Sequence, residues 1–249
     1  MANHGTYADS RTYYLPDGWP PLQPEVLSVG IDHARTAVFD EGDALRRLTY
    51  YYSRAGSYSG TSFLDTQPNP GNDIVAADLY AVSRLSMTIR NDQGRYLLDK
   101  GLPRTTALGL LQAVPEDAII ADLGAPLLAG MWNLYDHFRC LLATENRRSN
   151  HWVFAAKLCA RKRPNLFPVR DGQVCEYLSG SRRPKQRAHR IGQFGNDIQL
   201  FAHLMTEADF TDQLAHLKAV CAQRGVAVDQ SLLRLLDVLL WTKSAASRF

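Results

Sequence analysis

The acidic residue best placed to do chemistry in this chain is Asp171, within the run FPVRDGQVCEYL at 167–178. It precedes a helical stretch, where a carboxylate accepts backbone N–H groups and interacts favourably with the helix dipole. Its surroundings are cationic. Between Arg139 and Arg190 thirteen Lys and Arg residues face three acids, a local balance of +10, whereas the rest of the chain carries fifteen basic and twenty-two acidic residues, or −7. Such a contrast points to a polyanionic partner, because each neutralised phosphate releases condensed counterions. The plainer account is a solvated basic face or loop, for which Ser179–Arg190 (SGSRRPKQRAHR) has the composition, beside an ordinary helix cap worth ~1 kcal/mol.

Other chemistries leave no trace. The four cysteines (Cys140, Cys159, Cys175, Cys221) form no CxxC pair, and the seven histidines show no HExxH or comparable ligand spacing, so no metal and no cofactor are expected. A P-loop, a Rossmann glycine pattern and a nucleophile elbow are all missing. Tyr50, Tyr51 and Tyr52 could stack on bases, but on a helix they point in different directions, so at least one belongs to the core. Trp132 and Trp241 read as core residues, and Asp237, inside an apolar helix, needs a partner such as Arg234 if buried.

The elements that must position Asp171 are helical. Apolar residues recur at helical spacing over Glu41–Arg54, Asp73–Arg90, Arg104–Val114, Pro115–Leu123 and Ala125–Ala143. They do so again over Asn196–Met205, Ala208–Arg224 and Asp229–Lys243. Around Asp171 the pattern is helix, turn, helix. Trp152–Arg161 is helical, Pro164 ends it, Leu166–Val169 is extended because Pro168 follows, and Asp171 caps the second helix. The expectation is an all-α protein, with an irregular Tyr/Pro-rich arm over 1–30 and one compact multi-helix domain over 31–249.

The run SNHWVFAAKLCARKRPNLFPVRDGQVCEYL (149–178) resembles the helix-hairpin-helix base-excision DNA glycosylases, especially the adenine-specific branch. There an apolar-Pro-apolar stretch leads into Asp-Gly-x-Val and a helix. The KLCARKRPNLFPVRD core is also similar to an uncharacterised bacterial family. The glycosylase resemblance implies DNA repair chemistry, with a base flipped from the duplex and Asp171 as the carboxylate stabilising positive charge on the sugar. Ser149, Asn150 and His151 would occupy the hairpin, and Lys157, Arg161, Lys162 and Arg163 would contact phosphates. The chain departs from the pattern at several points. The hairpin lacks Gly-x-Gly, and Val153 stands where bifunctional members have a Schiff-base lysine, which implies a monofunctional enzyme. Arg84 stands where the adenine-specific branch has a glutamate, and no iron–sulfur cysteine pattern follows.

No apolar run approaches the ~18–20 residues of a membrane span, and the N-terminus lacks the pattern of a secretory signal, so a reduced cytoplasm is the expected location. The expected partner is nucleic acid, DNA ahead of RNA, with no membrane association. Two alternatives stand beside the enzyme: a non-catalytic nucleic-acid-binding protein on the same helical framework, and a helical interaction protein with no nucleic-acid role.

Overall fold

The last helix is apolar nearly all round, and this sets the architecture. In the computed structural model, which describes residues 3–53, 58–143, 151–180 and 191–245, Leu232–Ser244 forms the last of the helices, α11. Leu233, Leu235, Leu236, Val238, Leu239 and Leu240 are all buried, so other helices must cover it on several sides. Its start is fixed by Ser231, whose Oγ accepts the Arg234 N–H at 3.2 Å.

The helices in chain order are α1 (Pro24–Val38), α2 (Glu41–Tyr52), α3 (Ala76–Ser83), α4 (Asn91–Leu98), α5 (Leu102–Gln112), α6 (Ala125–Leu142), α7 (Trp152–Lys162), α8 (Gly172–Leu178), α9 (Ile191–Leu204), α10 (Ala208–Gln223) and α11. The all-α expectation is met. Helices α1, α2, α8 and α10 pack on α11, while α3 and α6 pack on α7. No helix among the described residues is long and apolar enough to cross a membrane.

Three expectations are corrected. The arm expected over 1–30 is not irregular where it is described, from residue 3 onward. His4–Thr6 (β1) and Thr12–Tyr14 (β2) pair antiparallel, with the Tyr13 ring so close over Gly5 that no Cβ would fit. Tyr7, Tyr13, Leu15 and Trp19 are buried, and α1 already begins at Pro24. The helix expected over Asp73–Arg90 is confined to α3, since Asp78 rather than Asp73 takes the first free amide, that of Val75, at 2.9 Å. It ends because Ser86 turns into the left-handed region at φ 61°. Pro115–Leu123 holds only a single 3-10 turn at Ile120–Asp122, where the Ile120 N–H is taken by the Asn165 carbonyl at 3.0 Å.

Candidate active site

The segment between α7 and α8 is pinned residue by residue, and the result is a fixed position for Asp171. Leu166, Phe167 and Val169 are buried. The Val169 N–H donates to Asp237 Oδ2 at 2.8 Å, tying the connection to α11. Arg170 turns the other way. Its guanidinium lies 5.3 Å from the ring centre of Tyr135, 5.4 Å from Trp152 and 5.1 Å from Phe194, with Nε donating to Asp197 Oδ2 at 2.6 Å. Asp171 follows in extended backbone, φ −137° and ψ 171°, and its Oδ1 accepts the Val174 N–H at 2.9 Å. The helix-turn-helix reading of this segment and the capping role of Asp171 are thus present in the structure.

Asp171 is also a wall of a cavity of about 460 Å³. Helix α11 presents Arg234, Asp237, Val238 and Trp241 to it, which is one helical face at i, i+3, i+4 and i+7. From α7 come Val153 and Lys157, one turn apart. Tyr51 of α2 and Tyr58 complete an aromatic wall. Their rings stack at 5.7 Å and 21°, and Trp241 meets Tyr58 edge-on at 5.4 Å. Arg84 and Leu85, just after α3, line a further side.

Burial and charge divide the ionisable groups of this cavity. Burial raises the Asp171 carboxyl above its ordinary value, against the Val174 and Gln173 amides and the Lys157 charge, which favour the anion. Burial pulls the Lys157 ammonium down to about 8, with Asp171 opposing; its Nζ donates to the Leu85 carbonyl at 2.7 Å. Asp237, on the α11 face of the cavity, is raised as well. Burial pushes it up to about 7, and the nearby Asp171 and Asp229 charges add to the rise while Arg234 opposes it. Arg234 is held by the Tyr51 hydroxyl at 2.8 Å and by Asp229 at 3.5 Å, and Asp229 in turn accepts from Tyr52 at 2.6 Å.

The expected phosphate contacts are elsewhere. Arg161, Lys162 and Arg163 are buried, at 0%, 4% and 0% exposure, and their donors belong to the protein interior. Arg161 donates to the Phe63 and Leu64 carbonyls at 2.5 and 2.6 Å and to that of Thr66, and pairs with Asp78 at 3.2 Å. Lys162 pairs with the same Asp78 at 2.5 Å and reaches Asn69 and Pro70. Arg163 donates to the carbonyls of Val114, Gly71, Lys162 and Leu111 and to Asn72 Oδ1, all within 2.9 Å, which occupies its fork of N–H groups. These three residues hold loops to α7 and are closed to a phosphate. Lys157 is likewise buried, but in the cavity wall.

His151 sits at the start of α7, 3.3 Å from the Gln93 side chain, and does not line the cavity. Ser149 and Asn150 lie outside the described residues. So do seven of the thirteen cations of the basic segment; of the six described, five are buried and Arg139 pairs with Asp136.

Sequence reasoning missed the composition of the cavity. Trp241 reads as core yet lines the pocket, and Asp237 reads as a residue needing a partner, which it finds in the Val169 N–H for one oxygen only. The signal was Arg234 and Asp237, an opposite-charge pair three residues apart, with Trp241 one turn on, in a helix otherwise mostly of leucine.

The sequence from Ala44 to Ser244 matches the model of a family of unknown function, DUF6308. The chain belongs to that family. The match spans α2 to α11, so the family's shared region contains the whole cavity wall, from Tyr51 to Trp241. No curated protein and no solved structure matches the chain.

Proposed function

We propose that the protein is a monofunctional N-glycosyl hydrolase of the DNA glycosylase type, acting on a nucleobase everted into the cavity with Asp171 as the catalytic carboxylate. One observation carries this reading: the Asp171 carboxyl borders a cavity of about 460 Å³ with a wall of Tyr51, Tyr58 and Trp241. The volume falls within the ~300–1,000 Å³ of small-molecule sites, and aromatic walls suit a flat heterocycle. Breaking the bond between sugar and base develops positive charge on the sugar. A carboxylate beside that carbon, fixed by the Val174 amide before the reaction begins, stabilises the charge without reorganisation. Lys157 supports the ionised form of Asp171. Val153, which shares the Lys157 face of α7, contributes only an apolar wall, in keeping with a hydrolase lacking a lyase step at that position.

The grip on a nucleic acid does not come from Arg161, Lys162 or Arg163. Among the described cations of the cavity wall, Arg84 is the most open to solvent and is assigned to a phosphate next to the everted nucleotide.

The test uses duplexes carrying damaged or mismatched bases, followed by alkali cleavage at abasic sites. The wild-type chain is expected to open abasic sites in at least one duplex, and Asp171→Asn to open none. A wild-type chain inert on every such duplex while binding them with strong salt dependence favours the second reading, a non-catalytic nucleic-acid-binding protein. The Asp171–Val174 capping bond is the observation in favour of that reading, since it gives the carboxylate a purely structural task.

A further inference from the structure

Several polar groups of the cavity wall are already engaged within the protein. Lys157 Nζ donates to the Leu85 carbonyl at 2.7 Å, and Asp237 accepts the Val169 N–H through Oδ2 while its Oδ1 is sealed. Arg234 differs. It borders the cavity from α11 with a side chain only 5% exposed. Its Nη2 donates to the Tyr51 hydroxyl at 2.8 Å, and its Nε is sealed, 3.5 Å from Asp229 Oδ2. Nη1 has no hydrogen-bond partner among the described residues and, unlike Nε, is not sealed. The open part of this buried guanidinium is therefore a pair of N–H donors, and the cavity is the space that Arg234 borders.

We infer that Arg234 determines the specificity of this cavity, donating through Nη1 to a ring carbonyl oxygen of a flat, neutral ligand, so that the site takes a base with an oxo edge in preference to one with an amino edge. This names the base class for the hydrolase proposed above and rests on that reading for its place in a reaction. The hydrogen bond itself rests on the geometry of Arg234.

The donor is fixed before any ligand arrives. The guanidinium lies 5.2 Å from the Phe63 ring centre and 6.0 Å from that of Tyr51, and Tyr52 donates to Asp229 at 2.6 Å, which orients the counter-charge. Gly60 backs the Tyr51 hydroxyl so closely that a Cβ there would stand 2.3 Å from it. Tyr51 thus both belongs to the aromatic wall and holds Arg234, so a flat ring laid against its end of the wall has an edge beside the guanidinium. A neutral acceptor suits the charge balance, because Asp229 already offsets Arg234, and Asp171 and Glu176 in the same wall oppose an anion. An amino group at that edge would set donor against donor and leave Nη1 desolvated without a partner.

The experiment has two arms on the full chain. In the first, free hypoxanthine and adenine, and free uracil and cytosine, are titrated by calorimetry; within each pair a carbonyl is exchanged for an amine. The oxo member is expected to bind at least about tenfold tighter in whichever pair binds. Arg234→Lys keeps a positive charge for Asp229 but loses the planar fork that reaches both Tyr51 and the cavity, and is expected to abolish the preference. A thermal melt shows whether that variant folds, and if it does not, the wild-type series decides alone. In the second arm, base release is measured from duplexes carrying hypoxanthine or adenine opposite the same partner base. An amino base bound as tightly as its oxo counterpart, no binding of any of the four, or an undiminished preference in folded Arg234→Lys each overturns the assignment of Arg234. An oxo preference in a chain that releases no base retains Arg234 as the donor and removes only the hydrolase reading.

Discussion

Val169 and Asp237 are joined by a 2.8 Å hydrogen bond from the backbone N–H of the first to Oδ2 of the second. That bond ties the connection carrying Asp171 to the helix that supplies another carboxyl of the cavity, Asp237. It also gives Asp237 a structural task for one oxygen while the other stays unpartnered. The neighbouring Arg170, enclosed by three aromatic rings and Asp197, holds the connection from the opposite side. Asp171 is therefore placed by its two predecessors as well as by its own capping bond.

Stability should depend on pH through Asp237. Folding raises its carboxyl from 3.8 to about 7, so between those values the folded chain holds more protons than the unfolded one. Stability contributed at low pH is then lost as pH rises through that window. Asp237→Asn removes this fall. The variant is expected to be more stable than the wild type at pH 8 by on the order of 3 kcal/mol, with little difference near pH 4. Urea unfolding of both proteins at the two pH values checks this; parallel pH dependences contradict it.

Arg163 is expected to matter for folding and not for nucleic acid. Replacing it with methionine leaves the carbonyls of Val114 and Gly71 without donors and takes one of two donors from that of Leu111, and stability should drop by at least about 3 kcal/mol. The measurement is the urea midpoint. The salt dependence of duplex binding, measured where the variant is still folded, should match that of the wild type.

Arg84 should behave in the opposite way. Arg84→Ala is expected to leave the unfolding midpoint nearly unchanged while weakening duplex binding about tenfold at low salt. The slope of log affinity against log salt should become shallower by about 1. Unchanged affinity and slope would remove Arg84 from the phosphate contacts.

The two roles of Asp171 separate by substitution. Asparagine is a good helix cap and alanine is not, so Asp171→Asn should stay close to the wild type in stability while Asp171→Ala loses about 1 kcal/mol. Thermal melts of the three proteins read this directly.

The helical fold and the connection from α7 to α8 were legible because their determinants are local. Trp152–Lys162, Pro164, Pro168 and Asp171 stand in the order that starts, stops and restarts a helix. Helix α1 was not legible because it buries Gly30, Ala34 and Ala37, small residues that leave no apolar periodicity; Gly30 admits the Leu200 side chain where a Cβ would collide. Charge misled most. Arg161, Lys162 and Arg163 look like a phosphate-binding run, and the sequence does not reveal that distant carbonyls and Asp78 surround them. The cavity wall joins Tyr51 to Trp241 across 190 positions, a relation only the packing of α2 on α11 creates.

The central claim is that Asp171 acts on a ligand and does more than cap α8. Its most direct test is single-turnover release of free base, separated and quantified by chromatography, from labelled duplexes by the wild type and by Asp171→Asn. The account predicts release by the wild type and a loss of at least ~10²-fold in the variant, whose helix content and melting temperature are unchanged. Equal release by both proteins, or none by the wild type on any duplex, contradicts it.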